Sequence, residues 1–174
     1  MFTWHLNGHS VTQRVDLFWQ PLVLILFRLF MKAHVLNVFT GDNAAGNPAA
    51  VVKMDDWLPL AELQCISKQL AQPVTAFIKA VDSDYAIRWF AGDIEINLCG
   101  HGSLAAAASL FAEDPQHATK VNFVSQHGTI TVNKLQQGYT MSMPSWRGKP
   151  TPELTALVRE LGINPVDLFS TRDL

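Results

Sequence analysis

Apolar residues recur along this chain with two different periods. Where they alternate, or run together briefly between turn-forming clusters, strands are predicted. Such stretches are 34–39 (HVLNVF), 49–52 (AAVV), 74–78, 85–90 (YAIRWF), 120–125, 129–133 and 139–143. Turn signals separate them: Gly41 through Pro48, Asp82-Ser83-Asp84, His127-Gly128 and Gln137-Gly138. Between 58 and 70 the apolar residues fall at 60, 63, 66 and 70, the spacing of one helical face, with Pro59 tolerated in the first turn. On that pattern Cys65 is placed at a core position. A second helical stretch is of another kind. From Ile96 to Ala112 no residue is formally charged, and Leu104–Phe111 (LAAAASLF) is strongly helix-forming but apolar on nearly every face. A helix of that composition has to be enclosed on all sides. The pattern therefore predicts an α+β fold, a curved and mostly antiparallel sheet wrapped around a central apolar helix.

The ends of the chain follow other rules. Residues 1–30 show no alternation followed by a turn and end in an apolar burst over 18–30, interrupted by Gln20, Pro21 and Arg28. Thirteen residues are too few for a membrane span, which needs about 20, and the small-residue cleavage site of a signal peptide is absent. Met31 reads as the natural start, with 1–30 as an upstream extension. Residues 31–145 form the main domain. The remainder, 146–174, is read as a linker and the start of a second domain. Within it, 144–152 looks like linker, 153–161 a short helix stopped by Gly162, and 169–174 carry no terminal element.

Composition narrows the class without naming a chemistry. With 48% apolar residues, 16% charged residues and a net charge of −2, disorder is excluded. The balance of 13 basic against 15 acidic residues offers no field for nucleic acid. Two cysteines, Cys65 and Cys99, do not make a disulfide framework and point to a reducing, cytoplasmic setting. His5 and His9 have helical spacing but no third ligand nearby, so no metal is expected. Gly41–Gly46 lacks the Gly-Lys-Ser/Thr of a phosphate loop.

Candidate chemistry gathers at the start of the apolar helix. The segment 93–103 (DIEINLCGHGS) joins a strand to it. Gly100 and Gly102 allow close backbone approach, and the free N–H groups of the first turn, with Ser103, suit a carboxylate or phosphate. Cys99 sits where a thiolate is favoured, and His101 is placed to carry a proton near neutral pH. Read as plain structure, Cys99 is an inert core thiol and His101 a capping or packing residue.

Three blocks carry a resemblance: Asn37-Val-Phe-Thr with Gly46-Asn-Pro-Ala-Ala-Val-Val52; Thr75-Ala-Phe77; and Arg88-Trp-Phe, followed by Glu95 and Leu98-Cys-Gly-His101. In this order and spacing they resemble the PhzF (phenazine biosynthesis) isomerase family, across roughly residues 32–174. The resemblance implies the fold group of the diaminopimelate epimerases and proline racemases, whose two similar domains each wrap a sheet around a helix. It also implies a cofactor-free isomerase that moves a proton within a small carboxylated substrate lying between the domains. On that basis His101 is a catalytic residue, Gly100, Gly102, Ser103 and Asn47 contact substrate, and the loop at 41–46 shapes the rim of the cleft.

Two departures qualify that inheritance. The glutamate that the family places before Thr-Ala-Phe as general base is Val74 here, and such a base is worth about 10²–10⁴-fold. Asp93 and Glu95 are the nearest substitutes by sequence; Cys99 is a separate catalytic candidate, as a thiol. Family chains are also about twice this length, and nothing here matches the block of their second domain that faces the first. Three readings follow: a shortened isomerase with little or no activity; a half-enzyme completed by a homodimer or a separate second-half chain; and a non-catalytic module binding small carboxylates. A two-cysteine racemase would need Cys65 beside Cys99. An exposed domain interface predicts self-association.

Overall fold

The computed structural model describes residues 2–4, 13–17, 31–41, 44–113, 119–145, 147–151, 155–162 and 169–170. They fall into two units, 1–143 and 144–174. The first is built on a ten-stranded sheet. Its long strands are β3 (Met31–Val38), β4 (Asn47–Met54), β5 (Thr75–Val81), β6 (Asp84–Ala91), β8 (Lys120–Ser125), β9 (Gly128–Lys134) and β10 (Tyr139–Ser142). Short strands β1 (Phe2–Trp4), β2 (Gln13–Leu17) and β7 (Ile94–Ile96) complete it, in the order β1-β10-β9-β8-β6-β5-β4-β3-β2 with β7 on β6. Among the described residues only the β4–β5 and β6–β8 pairs are parallel. Helix α1 (Leu60–Leu70) follows β4, and α2 (Gly100–Glu113) follows β7.

The two faces of the sheet explain the hydrophobic pattern. Leu36, Val38, Ala49, Val51, Val74, Ala76, Ile87 and Trp89 pack with α2 in one core cluster. Ala33, Ala50, Val52, Phe77 and Phe90 point the other way and pack with Leu63, Ile66 and Leu70 of α1. Strands β4 and β5 are covered on both faces, so they read as continuous apolar runs rather than alternation. The expected α+β architecture is present, a curled mixed sheet with α2 at its centre. Leu104 to Ala107 are all fully buried, as a helix apolar on every side requires.

Several local expectations are corrected. Residues 1–30 contain two strands: β1 pairs with β10 and β2 pairs with β3, one at each edge of the sheet. Their short, weakly alternating sequences hid them, because an edge strand needs little burial of its own. The apolar burst at 18–30, His5 and His9 lie outside the described residues. Cys65 is exposed rather than in the core. The buried stripe of α1 runs through Leu63, Ile66, Ser67 and Leu70, and residue 65 falls off it. Leu60 is also largely exposed, and Pro59 stands at the N-cap rather than inside the helix. The β7 hairpin, closed at Gly92 (φ +63°), occupies part of what reads as a plain connection.

The second unit holds β11 (Lys149–Pro150), α3 (Thr155–Leu161) and β12 (Phe169–Ser170). Strands β11 and β12 pair antiparallel, so the supposed linker and the supposedly unstructured end both contribute a strand. Gly162 adopts φ +63° after α3, as its role as a helix stop requires.

Candidate functional site

Helix α2 begins at a thiol. Cys99 O accepts the Ser103 backbone N–H at 3.0 Å and the Ser103 hydroxyl at 2.7 Å, which fixes the first turn. Cys99 Sγ accepts the Gly102 N–H at 3.5 Å, so the side chain caps the helix much as a serine would. The same sulfur lies 3.2 Å from His101 Nδ1. Burial pushes the Cys99 thiol up, partly offset by the N–H groups of Gly102 and His101. Burial also holds the His101 imidazole below its ordinary value. Both groups are therefore neutral at pH 7, an arrangement satisfied when S–H donates to Nδ1 and the ring proton sits on Nε2. That Nε2 is buried and has no partner.

The turn is crowded at residue 102 and has ordinary room at residue 100. A Cβ on Gly102 would stand 3.0 Å from Trp89 Cδ1, 3.2 Å from Val74 Cγ1 and 3.4 Å from Cys99 Sγ. A Cβ on Gly100 would meet Met141 Cε at 3.4 Å and Met143 Sδ at 3.7 Å. Position 74, the residue before Thr75-Ala-Phe77, therefore lies directly beneath the first turn of α2. Valine fills it and is buried. Ala50 N–H donates to Val74 O at 2.9 Å, and β4 and β5 run parallel, so Asn47 at the start of β4 lies at the same end of the sheet as Val74. Gly46 (φ +80°) turns the chain into β4, and a Cβ there would stand 2.7 Å from Val38 O.

The two carboxylates nearest in sequence as substitutes for a base are engaged elsewhere. Glu95 holds Arg88 through two bonds, Nε–Oε1 at 2.6 Å and Nη2–Oε2 at 2.7 Å. Chiefly through that hydrogen bond, Glu95 raises the Arg88 guanidinium further. Arg88 also lies over the rings of Trp57 and Phe90, each 5.5 Å away. Asp93 accepts from Lys68 Nζ at 2.9 Å on the surface, and that bond keeps its carboxyl low. A cleft of about 260 Å³ opens beside this hairpin, lined by Arg88, Trp89, Glu95, Asn97, Ser125 and Gln126 among others. Asn97 Oδ1 and His127 Nε2 meet at 2.9 Å near it.

Sequence reasoning alone passes over Trp89. Its alternation within β6 marks it as core, and core it is, but its Nε1–H has no partner. The ring edge carrying that N–H reaches the first turn of α2. Met141 and Met143 were likewise legible only as strand residues. Among the described residues no group of three or more His, Cys, Asp and Glu side chains is placed to hold a metal ion. No described helix is long and apolar enough to cross a membrane.

A curled sheet closed on an apolar helix, with an imidazole and a thiol at the helix start, defines a diaminopimelate epimerase-like domain. Within that class the chain belongs to the phenazine biosynthesis-like PhzC-PhzF family, whose sequence profile matches residues 36–161. An uncharacterized isomerase of Vibrio cholerae is 41% identical over 144 residues, which are 83% of this chain and 50% of that protein. A phenazine biosynthesis protein of the PhzF family from Enterococcus faecalis superposes with a TM-score of 0.65 at 31% identity, over 82% of this chain and 55% of that one. A PhzC/PhzF protein from Clostridium difficile gives 0.66 at 31% identity, over 83% and 56%. The chain thus spans about half the length of the relatives it matches.

Proposed function

We propose that these residues form one half of a cofactor-independent isomerase site. The reaction moves a proton within a small carboxylated metabolite, in a cytoplasmic setting. The observation that carries this reading is the neutral Cys99–His101 pair at the start of α2, with an unpartnered imidazole nitrogen. A neutral imidazole near its working pH both gives and takes a proton. Gly100, Gly102, Ser103 and Asn47 lie at the same end of the sheet, suited to an anionic substrate. Alone, the chain is expected to be inactive or nearly so: Val74 cannot take a proton, and Glu95 and Asp93 are bound to Arg88 and Lys68. The facing wall of the cleft is supplied by a second copy of this chain or by a separate second half.

The test is proton exchange in deuterium oxide, followed by NMR on a panel of aromatic and hydroxy acids. The chain and its Val74→Glu variant are assayed alone and mixed with the second half of the Vibrio cholerae relative. Exchange is expected only with Val74→Glu plus the second half, and its loss with His101→Gln. Absence of exchange in every mixture sinks the reading.

The unpartnered N–H of Trp89 favours a second reading, a non-catalytic carboxylate-binding module. Calorimetry with the same acids would then give heat that His101→Ala abolishes. No heat with any acid counts against it.

A further inference from the structure

The sheet is split beside the β7 hairpin. Strand β8 pairs with β6 at Tyr85 and Ala86, and β7 pairs with it from Trp89 to Ala91. Between them, Ile87 and Arg88 have a strand partner on the β5 side only. The cleft of about 260 Å³ lies at this split. That volume falls just under the range of about 300–1,000 Å³ that drug-sized ligands occupy, and suits a ligand of one ring. Its wall is apolar at Ile87 and Ile96 and polar at Arg88, Glu95, Asn97 and Gln126, all four of which end in planar groups. Arg88 stacks on Phe90 in the cluster that α1 covers, whereas Cys99 packs in the cluster around α2. The guanidinium of the cleft and the thiol of the candidate isomerase site therefore lie on opposite faces of the sheet.

We propose that this cleft binds a single uncharged sugar ring through its neighbouring hydroxyls. Charge sets the class. Glu95 and Arg88 hold each other through two bonds of 2.6 and 2.7 Å, so the polar wall carries no net charge. A net ion entering it is attracted by one member of the pair and repelled by the other, while losing its own hydration. A zwitterion gains as little, because each of its charges competes with a partner already in place. A hydroxyl both donates and accepts, and meets the pair without breaking it. Glu95 uses two of the five guanidinium N–H groups, which leaves three donors, and each carboxylate oxygen keeps a lone pair. Asn97 adds to these. Its Oδ1 can only accept, so His127 Nε2, 2.9 Å away, carries the hydrogen, and the N–H groups of the Asn97 amide remain for a ligand. Gln126 brings an exposed amide that donates and accepts. Donors and acceptors thus stand side by side, as a pair of neighbouring hydroxyls requires, and Ile87 and Ile96 offer apolar surface to the C–H groups of the ring. The sugar site stands independently of the isomerase reading.

The test uses the full chain and NMR titration with the methyl pyranosides of glucose, galactose and mannose and with ribose, beside acetate and glycine as charged probes. At least one sugar is expected to bind with a millimolar Kd, weak because so small a ligand makes few contacts, and to shift the Asn97 side-chain amide signals. Asn97→Leu should weaken binding about tenfold, the worth of one or two hydrogen bonds. Gln126→Ala should weaken it about threefold. Gln126 is exposed, so its replacement leaves the fold intact and decides the matter where Asn97→Leu fails to fold. His101→Gln, at the start of α2, should leave sugar affinity unchanged. Absence of binding by all four sugars overturns the proposal, as does tighter binding of acetate or glycine at the Asn97 amide. Parental affinity in a folded Asn97→Leu overturns it too, or in Gln126→Ala where Asn97→Leu is unfolded. Loss of sugar binding in His101→Gln would move the ligand to the isomerase site and equally overturn it.

Discussion

The two long helices of the sheet unit bury themselves in opposite ways. Helix α1 lies across one face and shows the sheet a single stripe, Leu63, Ile66 and Leu70, while Lys68 and Gln69 face water. Helix α2 carries no charge before Glu113 and is buried on nearly every side. Around α1 the polar groups are satisfied by surface ion pairs such as Lys68–Asp93. Around the start of α2 two buried nitrogens, Trp89 Nε1 and His101 Nε2, have no partner. An unpaired buried donor costs about 1–3 kcal/mol, and such groups persist where a ligand or a reacting atom is their partner. One helix covers the sheet, and the other is enclosed and begins beside the two unpaired nitrogens.

The sharpest way to break that contrast is to place a charge on each helix. Ala106→Asp puts an unpaired carboxylate at a fully buried position of α2. The expected loss exceeds about 4 kcal/mol, enough to leave no folded protein. Gln69→Glu on the open face of α1 should change stability by no more than about 0.5 kcal/mol. Circular dichroism with urea unfolding separates the two outcomes, and a folded Ala106→Asp would show that α2 is not enclosed.

The stripe of α1 is tested next. Leu63→Ala removes a fully buried side chain and should cost about 2–5 kcal/mol. Leu60→Ala, at a position 49% exposed, should cost well under 1 kcal/mol. Equal losses would mean that the stripe is placed wrongly.

Much of this contrast was legible in the sequence, because period and charge report burial directly. The apolar run Leu104–Phe111 within the uncharged stretch marks an enclosed helix, and the 60, 63, 66, 70 spacing a surface one. Edge strands β1 and β2 were not legible, since pairing on one side leaves little mark on side-chain pattern. Cys65 was misplaced because one residue along a helix is a turn of about 100°, which carries it off the buried stripe. At the site, Cys99, Gly100 and His101 stood out by residue type. The contribution of Trp89 did not. An orphan N–H is a property of three-dimensional packing, and a tryptophan in an alternating strand looks like any other core residue. The engagement of Glu95 by Arg88 was hidden for a similar reason: it depends on the β7 hairpin, whose three-residue strand is too short to signal itself.

Substitution at Gly102 probes the crowded start of α2 more gently. Alanine gains about 1 kcal/mol of helix propensity over glycine. Its Cβ would press on Trp89 Cδ1 at 3.0 Å, against an indole that is 2% exposed and cannot yield. Overpacking of this kind costs about 1–3 kcal/mol, so a net loss of about 1 kcal/mol is expected in urea unfolding. A gain would show that the first turn has slack, and with it that the site is looser than these contacts imply. Glu95→Gln is comparable. It removes a charge-assisted, two-bond contact to Arg88 at a half-buried hairpin and should cost about 1–2 kcal/mol.

The smallest effect concerns protons. Burial lowers the His101 imidazole in the folded state relative to its unfolded value near 6.5. Below that value the unfolded chain binds more protons at this position than the folded one, so stability falls as pH falls. The contribution is complete above about pH 6.5 and is lost progressively beneath it, at no more than about 1.4 kcal/mol per pH unit. His101→Gln should therefore flatten the curve of stability against pH between 7 and 5, while the carboxylates elsewhere contribute equally to both proteins and cancel in the difference. Cys99 acts with the opposite sense: its raised thiol stabilises the fold fully below about pH 9, and that contribution is lost as pH rises through the folded value. Parallel curves for the parent and His101→Gln would mean that the imidazole is as solvated folded as unfolded, and the neutral thiol–imidazole pair on which the site is built would not exist.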